Sequence, residues 1–305
     1  MPALSNTSPQ QSDSVNRTGA PGLAVFETRV GEPSRFERRL FFILAAVALI
    51  YAFLAGLATV GDPDFGWLLA RSRWMAQHHH VLSTNLLSYT VPNAGSVYPA
   101  LGGLILYWIY LLGGYALLSW TCALACAGTV ALLLRRGSVV SAAIAILAVP
   151  FIAMRMVPRA ELFALVIFAA YVSLLWQHHE TGRAPLWLLP LLMAIWVNVH
   201  FSFFSGLGLL AAFVAVALLE FPFGADRRLQ ATSRLKREIP WFLAAAAATI
   251  VNPWGWRIYQ ETIHFTTATL GVRVNEWVPL HWNWTNSFSL RSTNDLIHLL
   301  FAVAL

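Results

Sequence analysis

The chain is poor in charge. Of its 305 residues only 11% are Asp, Glu, Lys or Arg, whereas 58% are hydrophobic. A soluble domain carries about 25% charged residues, and so few polar groups cannot cover a water-borne fold of this length. Cysteine is almost missing, with only Cys122 and Cys126 present. That excludes a disulfide scaffold and a Cys-rich zinc module. The two lie four apart inside one apolar run, on one helix face, and read as small packing residues. There is no Gly-rich phosphate loop, nucleotide-binding fold, Ser-His-Asp order or paired-Cys motif. The formal charge of +6 comes with no nucleic-acid motif. Its basic residues fall mostly in short segments between apolar runs, where Lys and Arg mark the cytoplasmic side of a membrane protein.

What the chain has in quantity is apolar runs, several near the roughly 20 residues that cross a hydrocarbon core as helix. The expected class is therefore an all-α polytopic membrane protein. Residues 1–39 read as a disordered, basic cytoplasmic tail: the first part is rich in Ser, Thr, Asn, Gln, Pro and Gly, and "RVGEPSRFERRL" follows. Residues 40–305 read as the transmembrane domain. Leu40 to Val60 is the first span, retained in the membrane, with its N-terminus inside.

"YPALGGLILYWIYLLGG" (Tyr98 to Gly114) reads either as a span or as a helix lying at the outer interface. If it spans, Arg135 and Arg136 fall outside and the basic loops conflict. If it does not, every basic loop falls inside. The second choice gives an outer first loop over residues 61–114. The crossings that follow are Tyr115–Leu134, Val139–Met154, Ala160–Trp176, Leu186–His200, Ser205–Leu219 and Trp241–Val251. A second outer segment covers 252–291, and a further apolar run begins at Asp295, read either as a short last helix or as part of a sequence cut short at its C-terminus. The implied location is a membrane crossed several times, with the N-terminus cytoplasmic.

Ionisable groups near membrane depth are costly and mark function. In "GDPDFGWLLARSRWMAQHHH" Asp62 suits a helix N-cap and Pro63 a first helical residue. The helix they open has an apolar stripe of Phe65, Leu68, Leu69, Met75 and Ala76, with Ser72 in its gap. Asp64, Trp67, Arg71, Trp74 and His78 follow a 3-4-3-4 spacing on another face. Aromatic rings beside a carboxylate and a guanidinium suit a sugar ring and a phosphate. The bland readings are a cap, lipid-snorkelling arginines and an aromatic belt. His78 to His80 look like a metal tract, but three consecutive histidines cannot face one ion.

"PFIAMRMVPRAEL" places Arg155, Arg159 and Glu161 at an outer turn, either as a helix-end salt bridge or as a site for a lipid-linked phosphate. "WVNVHFSF" puts Asn198 and His200 at the outer end of a span, where either could simply hydrogen-bond a helix terminus. Glu276 lies in "NEWVPLHWNWTN", a stretch with several Trp residues that default to the interface.

The order of these features resembles the GT-C superfamily of integral membrane glycosyltransferases, and is most similar to a largely uncharacterised bacterial branch of it. "DPDFGWLLA" followed by "LLSYTVP", then "WVNVHFSF" and "NPWGWRIY…NEWVP", carry the likeness, which covers most of Leu40 to Pro279. Leu68 stands where that branch has His. "SVYPALGG" stands where it has a His-Glu pair, and Phe201-Ser202 where it has Gly-Gly.

The resemblance implies a GT-C-like helix bundle whose outer first loop carries interfacial helices. It implies transfer of a sugar from a polyprenyl-phosphate carrier to a lipid, glycan or protein acceptor at the periplasmic face. Asp62 matches the first-loop carboxylate that serves as base or orients the acceptor, and Asp64 is the second carboxylate nearby. Arg155 or Arg159 would hold the leaving phosphate. No cofactor is firmly implied and a divalent metal is left open. Polyprenyl-phosphate-linked sugar and membrane lipid are the expected partners. The other reading is a non-catalytic protein of this fold that binds lipid-linked glycans or acts in an assembly.

Overall fold

Long runs of Leu, Ala, Val and Phe give helix throughout. The computed structural model describes residues 34–57, 64–85, 95, 97–134 and 138–269, the side chains of 265–269 excepted. It comprises α1 (Arg35–Gly56), α2 (Asp64–His78), α3 (Leu101–Leu133), α4 (Val139–Ala153), α5 (Glu161–Thr181), α6 (Leu188–Val199), α7 (Phe203–Leu219), a 3₁₀ turn (Phe221–Phe223), α8 (Ala225–Ala248) and α9 (Arg257–Thr269). The extended backbone among the described residues is one isolated antiparallel bridge, Thr84 to Gly95.

Helix ends follow local chemistry. Ser34 and Glu37 form a reciprocal capping box, with bonds of 2.7 and 3.1 Å. The cap starts α1 at Arg35, five residues before the apolar run, so "RFERR" belongs to the helix and not to the tail. α5 ends at Gly182, whose φ of 67° only glycine takes without strain.

α3 has 33 residues, about 50 Å of helix at 1.5 Å per residue, too long for one straight crossing. It is broken at Gly113 and Gly114, whose backbones are not helical. The break falls at the boundary expected between the aromatic segment and the next crossing.

α1, α3, α5 and Phe203–Phe223 are each long and apolar enough to cross a membrane, and α4 and α6 are shorter apolar helices. Large side chains stay exposed along them, among them Phe42, Ile50, Leu112, Leu147 and Leu219. Apolar surface on that scale needs lipid around it. The chain is an all-α membrane protein.

The helices pack through small residues on one side and aromatics on the other. Ala48, Ala52 and Gly56 of α1 meet Cys122 and Cys126 of α3 in one apolar cluster. A Cβ on Gly56 would lie 2.7 Å from the Ala123 Cα, so only glycine permits this approach. Both cysteines are buried free thiols, packing residues as expected. The second core joins Tyr171 of α5, Leu189, Met193 and Trp196 of α6, Phe203 of α7 and Phe242 of α8.

The turns sort to opposite ends of this bundle. α2, residues 97–101, the α4–α5 turn, the α6–α7 turn and the α8–α9 turn contact one another. The inner flank of α5 meets α8, and α8 meets the α7 end, away from them. The loops expected on one side of the membrane thus share one end of the protein.

Candidate functional site

The shared end gathers ionisable groups from separate parts of the chain. α2 begins at Asp64, and Phe65, Leu68 and Met75 turn inward as their spacing predicts. Phe65 and Leu68 pack on Leu106 and Leu118 of α3. This seats α2 across the end of the bundle. The Asp64 carboxylate, 69% exposed, then meets Arg159 Nη2 at 2.9 Å. Arg159 belongs to the turn between α4 and α5, where Arg155 also approaches Glu161 at 4.0 Å.

Arg71 departs from expectation. Its spacing put it on the polar face of α2, yet it is 4% exposed. Tyr98 and the backbone of Leu82 lie against it. Its guanidinium lies 5.5 Å from the Trp67 ring centre and 4.9 Å from that of Tyr98. Nη2 donates to the Leu82 carbonyl at 3.4 Å. Burial lowers the Arg71 pKa from its ordinary value and the nearby Tyr98 works against that. Cation–π contact between two rings is the compensation for the lost water.

Tyr98 is the residue the sequence reading missed. It sits edge-on to Trp67 at 5.9 Å and to Phe201 at 5.3 Å. Its carbonyl accepts from Trp254 Nε1 at 3.2 Å. Burial raises its pKa. Arg71 and Arg159 oppose that, whereas Asp64 and Glu161 add to it. A single phenol thus feels four charged groups from two parts of the chain. The signal in the sequence was a tyrosine followed by a proline just ahead of the α3 N-cap, Ala100.

His200 is the C-cap of α6 and faces the same cluster from another side. Its Nδ1 accepts from the Ser202 backbone N–H at 3.1 Å and lies 2.9 Å from the Ser202 Oγ. That hydroxyl in turn accepts from Trp196 Nε1 at 3.1 Å. The neutral ring therefore carries its proton on Nε2. Burial lowers the His200 pKa and Glu161 pushes it back up.

Asn198 and Asn252 turn out to be builders. Asn198 Nδ2 donates to the carbonyls of Ala194 and Val251, and Asn252 caps its own turn through the Trp254 N–H and the Thr249 and Gly255 carbonyls. Together they lock the α8–α9 turn beside α6 and bring Trp254 to Tyr98.

Asp64, Trp67, Arg71, Arg155, Arg159, Glu161 and His200 are thus brought to one end, with Tyr98 among them. Trp74 and His78, farther along α2, stand apart from this cluster. They stack on each other at 4.3 Å toward the far end of α2, where His78 Nδ1 contacts the Trp74 carbonyl at 2.9 Å. Asp62 and Glu276 lie outside the described residues. Among the described residues no three His, Cys, Asp or Glu side chains converge as a metal site.

Chemically, the cluster offers guanidinium groups for an anion, open aromatic edges for a flat apolar or sugar face, and carboxylates beside both. No family model matches the sequence, and no curated protein and no solved structure matches it either.

Proposed function

We propose that the chain is a membrane glycosyltransferase of GT-C-like architecture. It takes a sugar from a polyprenyl-phosphate carrier at the outer face of a bacterial inner membrane and passes it to a lipid, glycan or protein. The observation that carries this reading is the Asp64–Arg159 contact beside Arg71, Tyr98 and His200. It unites residues far apart in sequence, in a chain with few charges to place.

In this reading Arg159 and Arg155 receive the carrier phosphate, charge-assisted and at the membrane boundary. Trp67, 42% exposed, offers its ring to the sugar. Asp62 takes the proton from the acceptor hydroxyl as it attacks the anomeric carbon. A second reading, a non-catalytic binder of lipid-linked glycans, is favoured by Leu68. Where the resembling branch has a polar His, this side chain is sealed in the α2–α3 contact.

One experiment separates them. Lipids extracted from the purified protein should include a polyprenyl-phosphate species, and Arg159→Ala should deplete it. Sugar transfer should disappear in Asp62→Asn while the protein stays in the membrane. Binding without transfer selects the second reading. Bulk phospholipid as the sole bound lipid refutes both.

A further inference from the structure

At the other end of the bundle lies a buried ionisable pair that the proposed chemistry does not use. His178 stands in the polar tail of α5, beyond Trp176, and Glu238 in the polar half of α8, before Trp241. Their residues are 6% and 2% exposed. His178 Nε2 lies 3.6 Å from Glu238 Oε1. The other atom of each, His178 Nδ1 and Glu238 Oε2, is buried with no hydrogen-bond partner.

Charged groups surround the pair without satisfying it. Arg234 is held by Glu220, at the α7 end, at 3.0 Å. Arg237 is exposed and reaches toward Gly182 at the α5 C-cap. His179 adds a further titratable group from α5. Arg234, Arg237 and Glu220 are the charges that act on Glu238, and Arg237, His179 and Arg234 those that act on His178.

A bare buried carboxylate is costly, and so is an imidazolium beside two arginines. One proton for the two groups, 3.6 Å apart, leaves neither a carboxylate without a counter-charge nor an imidazolium without a carboxylate beside it. Whether it resides on Oε1 or Nε2, the pair stays neutral overall. We propose that His178 and Glu238 form a shared proton-binding site, taking one proton from water and holding it across neutral pH, which joins α5 to α8 at this end.

The sign of the pH dependence follows. In the unfolded chain Glu and His titrate at about 4.3 and 6.5. Above about 6.5 the unfolded pair holds no proton while the folded pair holds one, so stability falls as pH rises. Between about 4.3 and 6.5 both states hold one proton and this pair contributes no slope. Below about 4.3 the unfolded pair holds two, so stability falls as pH drops.

The test uses the full chain in lipid nanodiscs. Infrared spectra at neutral pH should show a protonated-carboxyl stretching band, or labelled His178 should show an imidazolium signal by nitrogen NMR. Either signal should vanish in Glu238→Gln. The Gln variant leaves a lone buried His, so the acid limb of the melting curve attributable to this pair should move from about 4.3 up toward about 6.5. His178→Gln should leave a buried carboxyl that retains its infrared band. If the wild type shows neither signal, the pair holds no proton and the proposal is overturned, even if a variant fails to fold. An unmoved acid limb in a folded Glu238→Gln overturns it too.

Discussion

Gly102→Ala is the sharpest probe of how the Asp64–Arg159 cluster is held. Gly102 opens α3 beneath the site. A Cβ there would lie 2.6 Å from the Ala160 Cβ, 2.9 Å from the Val199 carbonyl oxygen and 3.2 Å from the Ala160 Cα. Ordinary carbon contacts lie at about 3.5–4.0 Å, so close to 1 Å of overlap must be relieved. No flexible side-chain end can swing aside, because two of the three atoms are backbone and the third is an alanine methyl. The turn before α5 or the end of α6 has to move. Overpacking of this kind costs about 1–3 kcal/mol, which for a chain of this size lowers the melting midpoint by roughly 2–5 °C. Ala160 sits between Arg159 and Glu161, and Val199 precedes His200, so the shift reaches three site residues. The control is Gly128→Ala in the same helix, where an added Cβ meets nothing within 4 Å. Alanine there should be neutral or favourable. Scanning fluorimetry of both variants in one detergent decides the matter. If Gly102→Ala melts no lower than Gly128→Ala, the packing that holds the cluster is not as described.

Arg71→Lys keeps the charge but loses the planar group that lies against two rings, and should lower the melting midpoint by an amount corresponding to about 1–2 kcal/mol; an unchanged midpoint would show that the ring contacts contribute nothing. His200 is held neutral by burial, so the unfolded chain takes up a proton below about 6.5 that the folded one resists, and this residue makes stability fall as pH drops. Glu161→Gln removes the charge that opposes this, so the NMR titration midpoint of His200 should move lower, and an upward move would break the assignment.

Sequence pattern made local facts legible and long-range ones not. The 3.6-residue period of α2 told which side chains turn inward, because Phe65, Leu68 and Met75 share a stripe. Gly113 and Gly114 marked the break in α3 because a glycine pair adopts a non-helical backbone at little cost and stands where the aromatic segment meets the next crossing. Arg71 was misplaced for the opposite reason: Tyr98 and Leu82, both outside α2, lie against it, and no periodicity within α2 reports on residues beyond the helix. The same holds for the Trp254–Tyr98 bond, which spans 156 residues. Glu238 was hidden differently. "SRLKRE" read as part of a basic loop, but α8 runs through it as helix and presents Leu235 and Glu238, three apart, to the bundle.

The energetics of the two ends differ, and the difference bears on function. Asp64 and Arg159 meet where both are in reach of water, with 69% and 29% of their side chains exposed. Exposed pairs of this kind contribute about 0–1 kcal/mol, so the fold gains little from the contact. A ligand phosphate can therefore displace the carboxylate from Arg159 at small cost, and a stronger charge-assisted bond replaces a weaker one. His178 and Glu238 are the reverse case. Both are shut away from water, and removing either partner strands the other, which costs far more than an exposed pair is worth. An exchangeable contact at the aromatic end and a fixed one at the other is the division expected if ligands arrive at α2 while the far end holds the helices in place. It also orders the carboxylates. Asp64, facing Arg159, is suited to yielding that arginine to a phosphate, which leaves proton abstraction, on the glycosyltransferase reading, to Asp62.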